Sequence, residues 1–408
     1  MTAAHPEQGA ETRRERLREV GAVFHRLGWT SFGGPAAHLV YFRDEFVVRR
    51  RWMDERAFAE QLALCQLLPG PASSQLGILL GLGRAGLAGG LLAWAGFTLP
   101  SALLMLAFAY LAGLGGAVSD GWLHGLKVVV VGVVAQAVLS MSRTLCPDWP
   151  RRALALLGAA GALALPGATG QLIAIGLGGA IGWLALRDED ARDVGAPPRP
   201  ISRRAAVACL ALSLGLLAAL PLLRAVAASP TLAVIDSFYR AGALVFGGGH
   251  VVLPLLEAEV VRPGWIGPEA FLAGYGAAQA LPGPLFAFSA YLGAAMDTPL
   301  RGPLGALLCL LVLYLPSTLL LLGVLPFWGR LRALRGMSAA LAGVGAAVVG
   351  LLLAVLIHPI WPSAIDGPAD VALALAAFAL LATGRFPAWA VVIGCAAVGA
   401  VLPVLLGR

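Results

Sequence analysis

The sequence predicts an all-α polytopic membrane protein: two inverted-topology repeats of about six apolar segments each, joined by a linker and one extra helix, with broken or re-entrant helices. Three observations predict it. Only 12% of the 408 residues are charged, 59% are hydrophobic, and mean hydropathy is +0.83. A soluble domain carries about 25% charged residues, so this chain lacks the polar surface to cover a water-soluble particle. The apolar runs are long, continuous and rich in Leu and Ala, unlike the short alternating strands of a membrane β-barrel. Three sequence motifs recur in the same order in the two halves.

The elements follow from run length, since about 20 apolar residues cross a hydrocarbon core of roughly 30 Å. Thirteen segments meet or approach that length: 22–42, 57–80, 86–114, 123–145, 151–166, 167–186, 204–227, 232–255, 268–296, 302–328, 336–358, 369–384 and 386–406. They group into a cytoplasmic tail (1–21), a first repeat (22–186), a charged, proline-rich linker (187–203), a connecting helix (204–227) and a second repeat (228–408). The same composition excludes disordered, fibrous and disulfide-rich secreted classes. Cys65, Cys146, Cys209, Cys309 and Cys395 are scattered without a CxxC pair and read as small buried apolar residues. No cleavable leader is expected, because 1–20 is arginine-rich and His25 and Arg26 interrupt the first apolar run.

The duplication rests on polar and special residues. FHRLGWTSFGGP (24–35) aligns with FYRAGALVFGGG (238–249), QLLPGP (66–71) with QALPGP (279–284), and LPSALL (99–104) with LPSTLL (315–320). The offsets of 214, 213 and 216 residues are collinear. Six segments form each half and the helix at 204–227 belongs to neither, so one extra crossing inverts the second half. The 29 basic residues, all but Lys127 arginine, test this. Arginines 13, 14, 16 and 18 place the N-terminus in the cytoplasm, and Arg43, Arg49, Arg50, Arg51 and Arg56 fill the next loop. That loop is cytoplasmic only if 22–42 and 57–80 enter and leave on one side. Stretches 115–122 and 359–368 carry no Lys or Arg and fall outside; Arg143, Arg151, Arg152, Arg330, Arg332 and Arg335 fall inside. Arg262 and Arg301 are isolated exceptions. These loop arginines obey the positive-inside rule and do not form a nucleic-acid face.

The chemistry concentrates at the repeated motifs. Pro69-Gly70-Pro71 and Pro282-Gly283-Pro284 should break a helix within an apolar run. The amides after Pro71, at Ala72, Ser73 and Ser74, then lack intrahelical partners and suit an anion. The second copy has Leu285 and Phe286 where the first has Ala72 and Ser73, so the halves are chemically unequal. Gly33-Gly34 and Gly247-Gly248 permit amide-lined turns or close helix packing. Gln66 and Gln279, three residues before each break, are candidates to bond the broken backbone or the ligand. Arg26 and Arg240 are equivalent and suit a tetrahedral oxyanion, or snorkel to headgroups. His25, His38, Glu60, Lys127 and His250 are ionisable groups in apolar runs with a candidate proton or charge role. No phosphate-binding GxxxxGK[ST], HExxH or GxSxG motif is present, so transport should run on a gradient and no catalytic residue, metal or cofactor is expected.

At FHRLGWTSFGGPAAH, LCQLLPGP and LPSALL, with their second copies, the chain resembles the chromate ion transporter family in its long two-domain form. The resemblance covers about 22–146 and 236–357 and implies an inner-membrane carrier that exports chromate and confers resistance, with sulfate as structural analogue. It also implies oppositely oriented halves. The second copy reads FGGGH where the first reads FGGPAAH, so the histidines are not equivalent. The implied partners are the transported anion, the bilayer, a coupling ion (proton, sodium or exchanged anion) and, as a candidate, a second copy of the chain. A sulfate or other anion carrier is the alternative, and a non-transport membrane protein a weaker one.

The arginine pattern makes one direct prediction. A cysteine replacing Arg50 in a cysteine-free background should resist an impermeant thiol reagent outside intact cells, and one replacing Ser363 should react. Strong labelling at position 50 would restore thirteen full crossings.

Overall fold

The computed structural model describes residues 11–113, 120–165, 168–186, 201–246, 249–332, 334 and 336–405. Among these residues every regular element is helical. The first half comprises α1 (Arg13–Thr30), α2 (Gly34–Arg43), α3 (Glu55–Leu67), α4 (Ala72–Gly113), α5 (Asp120–Leu145), α6 (Trp149–Ala164) and α7 (Ala168–Ala185). After α8 (Arg203–Val226) come α9 (Pro230–Ala243), α10 (Val252–Val260), α11 (Pro268–Ala280), α12 (Phe288–Ala295) and α13 (Gly302–Val324). The chain closes with α14 (Trp328–Arg332), α15 (Met337–Val355), α16 (Trp361–Ala364), α17 (Pro368–Ala382) and α18 (Ala388–Leu405).

Five helical stretches among the described residues are long and apolar enough to cross a membrane: Ala72–Gly113, Gly121–Leu145, Arg203–Val226, Gly302–Leu331 and Met337–Ala364. Their outward leucines, such as Leu91, Leu103, Leu214 and Leu304, are exposed, as a lipid-facing surface requires. Helix α1 starts ahead of its apolar run because Thr12 and Glu15 cap it reciprocally. Part of the segment taken as tail is therefore helical. Most of the linker, 187–200, lies outside the described residues.

Neither of the first two apolar runs forms one continuous helix. Along 22–42 the chain runs in through α1, breaks at Ser31–Gly33 and returns through α2. Contacts fix that antiparallel pairing: Ser31 with His38, Arg26 with Glu45, and Glu19 with Arg50. The second run breaks at 68–71, as LPGP predicts, and α4 comes back to the same end. There Arg84 bonds Glu11 and Glu19 and lies 5.4 Å over the Trp52 ring. At Ala85–Gly86 α4 leaves helical geometry and reverses into its long second arm. Each of the first two segments is thus a broken hairpin that leaves by the end it entered, which places the arginine loop beside the N-terminal helix.

The second half repeats this plan from the opposite end. Helices α9 and α10 pair through Arg240 and Glu259, the counterparts of Arg26 and Glu45 at an offset of 214. Helices α12 and α13 reproduce the two arms of α4. Close backbone packing is duplicated too: Gly28 lies against Gly96 and Pro100, and Gly242 against Leu313 and Pro316. The equivalent long arms run antiparallel. Tyr110, near the end of α4, meets Gly302 at the start of α13, and the Trp94 and Tyr314 rings pack at 5.5 Å. Equivalent helices that cross in opposite directions are what an inverted repeat requires.

Candidate functional site

The four chain breaks meet at the middle of the molecule, and each half closes the other. The Gly70 amide donates to the Val245 carbonyl at 2.6 Å, and the Gly283 amide donates to the Ser31 carbonyl at 2.8 Å. Val245 and Ser31 are themselves equivalent, at an offset of 214. The side-chain contacts are exchanged in the same way: Gly70 lies against Ser317 and Gly283 against Ser101. Both glycines sit at positive φ, +128° and +84°. A Cβ at either would be strained and would strike a serine of the opposite half.

The break in the first half is the more polar. The first α4 bond runs from the Gln75 amide to the Pro71 carbonyl, so the amides of Ala72, Ser73 and Ser74 precede the ladder, as expected for an exposed helix start. Gln75 Nε2 holds the Pro69 carbonyl at 2.9 Å, while Ser101 holds the Pro282 carbonyl at 2.6 Å. His38, fully buried on α2, spans the Ser31 carbonyl (3.2 Å) and the Ser73 hydroxyl (3.3 Å). A carbonyl only accepts, so the bridging ring donates from Nε2. In the neutral tautomer protonated at Nε2, Nδ1 accepts a hydrogen bond from the Ser73 hydroxyl. Ser74 and Tyr314 share a hydrogen bond of 3.4 Å, and Thr98 borders the same hydroxyl. Thr98 and Tyr314 are equivalents, one from each half, at an offset of 216. Hydroxyls and early α4 amides therefore converge where the two repeats meet, and all of these side chains are buried.

The residues singled out from sequence divide. Pro69, Gly70, Pro71, Ser73, Ser74, Pro282, Gly283 and Pro284 gather at this centre, and Gly33, at φ +101°, with Gly34 forms the turn beside it. Gly247 and Gly248 lie outside the described residues. Gln66 is exposed, and the glutamine that holds the broken backbone is Gln75. Gln279 lies beside Tyr275, whose hydroxyl meets His250 at 2.8 Å. His25 faces outward onto Trp29. Glu60 pairs with Arg56, and Lys127 pairs with Glu269 at the arginine-poor end.

The two equivalent arginines also have carboxylate partners. Arg26 meets Glu45 at 2.6 Å, a nearly buried carboxylate that also holds Arg49 and Arg50. Arg240 meets Asp236 and Glu259, and Asp236 also holds Arg224. These pairs lie along the hairpins α1/α2 and α9/α10, away from the break itself. Sequence reading missed Glu45 and Glu259 because it stopped the first match at FGGP. Extending the offset of 214 through FRDEF and LEAEV pairs them. Tyr314, Thr98, Ser101 and Ser317 lie within or beside the LPSALL and LPSTLL matches, which mark the duplication but do not by themselves show which residues face the opposite half.

Burial alone would raise the pKa of Glu45. Hydrogen bonds from Arg50 and Arg26 prevail and hold the carboxyl below its ordinary 4.5. The pairing therefore adds stability above about pH 4.5, lost as pH falls through the lowered value. Thermal unfolding in detergent should be flat between pH 7 and 5 and fall steeply below about 4.5, with Glu45→Gln removing part of the slope. An unaltered slope in that variant would contradict the assignment. Gly70→Ala and Gly283→Ala should each insert in the membrane yet lose most transport. The positive φ alone costs roughly 1–2 kcal/mol at each. Full flux in both would reduce the prolines to kinks.

Comparison with known proteins agrees with this two-part construction. The chromate transporter family matches residues 18–183 and 232–400, leaving out the linker and α8. A chromate transport protein of Pseudomonas aeruginosa is 31% identical over 343 residues, 81% of this chain and 78% of its own. One from Cupriavidus metallidurans is 27% identical over 374 residues, 90% of this chain and 88% of its own. An uncharacterized transporter of Bacillus subtilis is 35% identical over 178 residues, which cover 41% of this chain but 96% of that protein. No solved structure matches the chain.

Proposed function

Because the chain belongs to the chromate transporter family, we propose that it exports chromate across the inner (plasma) membrane as a gradient-driven carrier and so confers chromate resistance. The observation that carries the reading is the reciprocal closure of Gly70 and Gly283, which brings a polar helix start and hydroxyls of both halves to one buried place. A tetrahedral dianion needs donors that leave it free to depart. Backbone amides and the Ser74–Tyr314 hydroxyl pair supply moderate donors without a buried ion-pair cage. Ser73 turns its proton from His38 to the anion. Sulfate has the same shape and charge, and sulfate carriage or exchange is the competing reading.

Alternating access follows from the inverted hairpins. The pair α1/α2 opens towards the end that carries the arginine loop, which the positive-inside rule makes cytoplasmic, with the N-terminus on that side. The pair α9/α10 opens towards the other. Arg26–Glu45 and Arg240–Glu259 then act as matched latches, one on each side, broken in turn as the halves rock. This assigns Arg26 to gating and not to direct contact with the dianion.

Vesicle flux separates these roles. Losing a hydrogen bond to a charged ligand costs roughly 1.5–3 kcal/mol, about ten- to a hundredfold in affinity. Ser74→Ala and Tyr314→Phe should raise the half-saturating chromate concentration by about the lower factor. Arg26→Gln and Arg240→Gln should lower maximal rate with half-saturation little changed. A larger rise in half-saturation for Arg26→Gln than for Ser74→Ala would restore Arg26 to the binding site. Everted vesicles that accumulate sulfate but not chromate would establish the competing reading.

A further inference from the structure

A second polar site lies apart from the centre. A cavity of about 380 Å3 is lined by Glu257 on α10, Gln171 on α7, Arg262 in the loop after α10, and His358 beyond α15, among Leu163 and other apolar residues. Glu257 and Gln171 are more than nine-tenths buried. Gln171 Nε2 donates to the Pro254 carbonyl at 2.9 Å, but its Oε1 is buried without a partner. Glu257 has no hydrogen bond or close ion pair among the described residues; Arg262 provides only a neighbouring charge. Leu163 and Arg262 are exposed, so the cavity opens to the surface.

We infer that this cavity is a proton-binding site, with Glu257 as the carrier that couples proton movement to anion export. The inference rests on the transport reading above. A carboxylate desolvated without a donor is costly, and the cost falls away when it binds a proton. Gln171, whose Oε1 is an unpartnered acceptor, lines the same cavity. A metal cation is a poorer occupant: hard-cation sites use about six oxygens, and here Arg262 adds positive charge. The charged and titratable groups facing Glu257 from neighbouring elements are Arg262 and His358; from α9, Arg240 and Asp236 belong to the adjacent latch. His250 precedes α10 and bonds Tyr275.

Position makes the coupling physical. Glu257 and Glu259 share α10, two residues apart and so on different faces. Glu259 holds Arg240 in the outer latch. The acid is absent from the duplicated scaffold, since the equivalent position in the first half is Arg43. The cavity is built from the end of α6, the start of α7 and the end of α15, the side that the topology places outside. A proton taken from outer water neutralises Glu257 and lets α10 shift. The same proton leaves to inner water in the opposite conformation, while the anion moves outward.

The test uses purified full-length protein in liposomes with two readouts, chromate counterflow and chromate-dependent lumenal pH change. Glu257→Gln should keep counterflow within about twofold and lose at least tenfold of the coupled proton movement. Gln171→Leu, which removes the acceptor but leaves the acid, should slow proton movement several-fold with counterflow intact. Proton movement at the wild-type rate in Glu257→Gln would overturn the inference while leaving the transport reading standing. Absence of counterflow from the wild type would instead overturn the transport reading, and the coupling with it.

Discussion

Two backbone hydrogen bonds govern the architecture: Gly70 to Val245 and Gly283 to Ser31. Inside a bilayer, an amide freed by a broken helix has no water to turn to, and each unsatisfied group costs several kcal/mol. Each half of this chain breaks its helices within apolar runs, and the closing bonds of Gly70 and Gly283 go to the other half. The other half supplies the acceptor, and also the serine that packs on the glycine. Much else follows from that exchange. The hairpins must enter from opposite ends, the equivalent long arms must run antiparallel, and the polar centre must fall between the halves and not within either.

Symmetry then accounts for the scaffold, and its violations account for the chemistry. Glycine contacts, latch pairs and closing bonds all occur twice. Among the described residues, what occurs once is Ser73 with His38, Ser74 with Tyr314, Gln75 on the Pro69 carbonyl, and the cavity lined by Glu257 and Gln171. The departures leave one polar break and one buried, unpaired acid on a framework that is otherwise duplicated.

The sequence made the membrane class, the duplication and the breaks at LPGP legible, because proline and glycine act locally and composition acts globally. The arginine loop made the one-sided entry legible, though not that each of the first two segments is a separate hairpin. That depends on Ser31–Gly34, where Gly33 and Gly34, both at positive φ, turn the chain within one apolar run. Side-chain partners were less legible. Arg26 invites an oxyanion on paper, but Glu45 lies far along the sequence and reaches it only once the hairpin folds back. Gln66 looked well spaced to hold the break, yet helix phase turns it outward and brings Gln75 in. Tyr314 and Ser101 gained meaning only when the opposite half arrived.

The most direct measurement divides the chain between residues 193 and 194, within the linker, and expresses the two pieces separately and together. The account predicts that neither piece transports alone. Co-expressed, they should copurify and restore chromate flux, because each provides the carbonyl and serine that close the other's turn. Transport by either piece alone at the rate of the intact chain would contradict it.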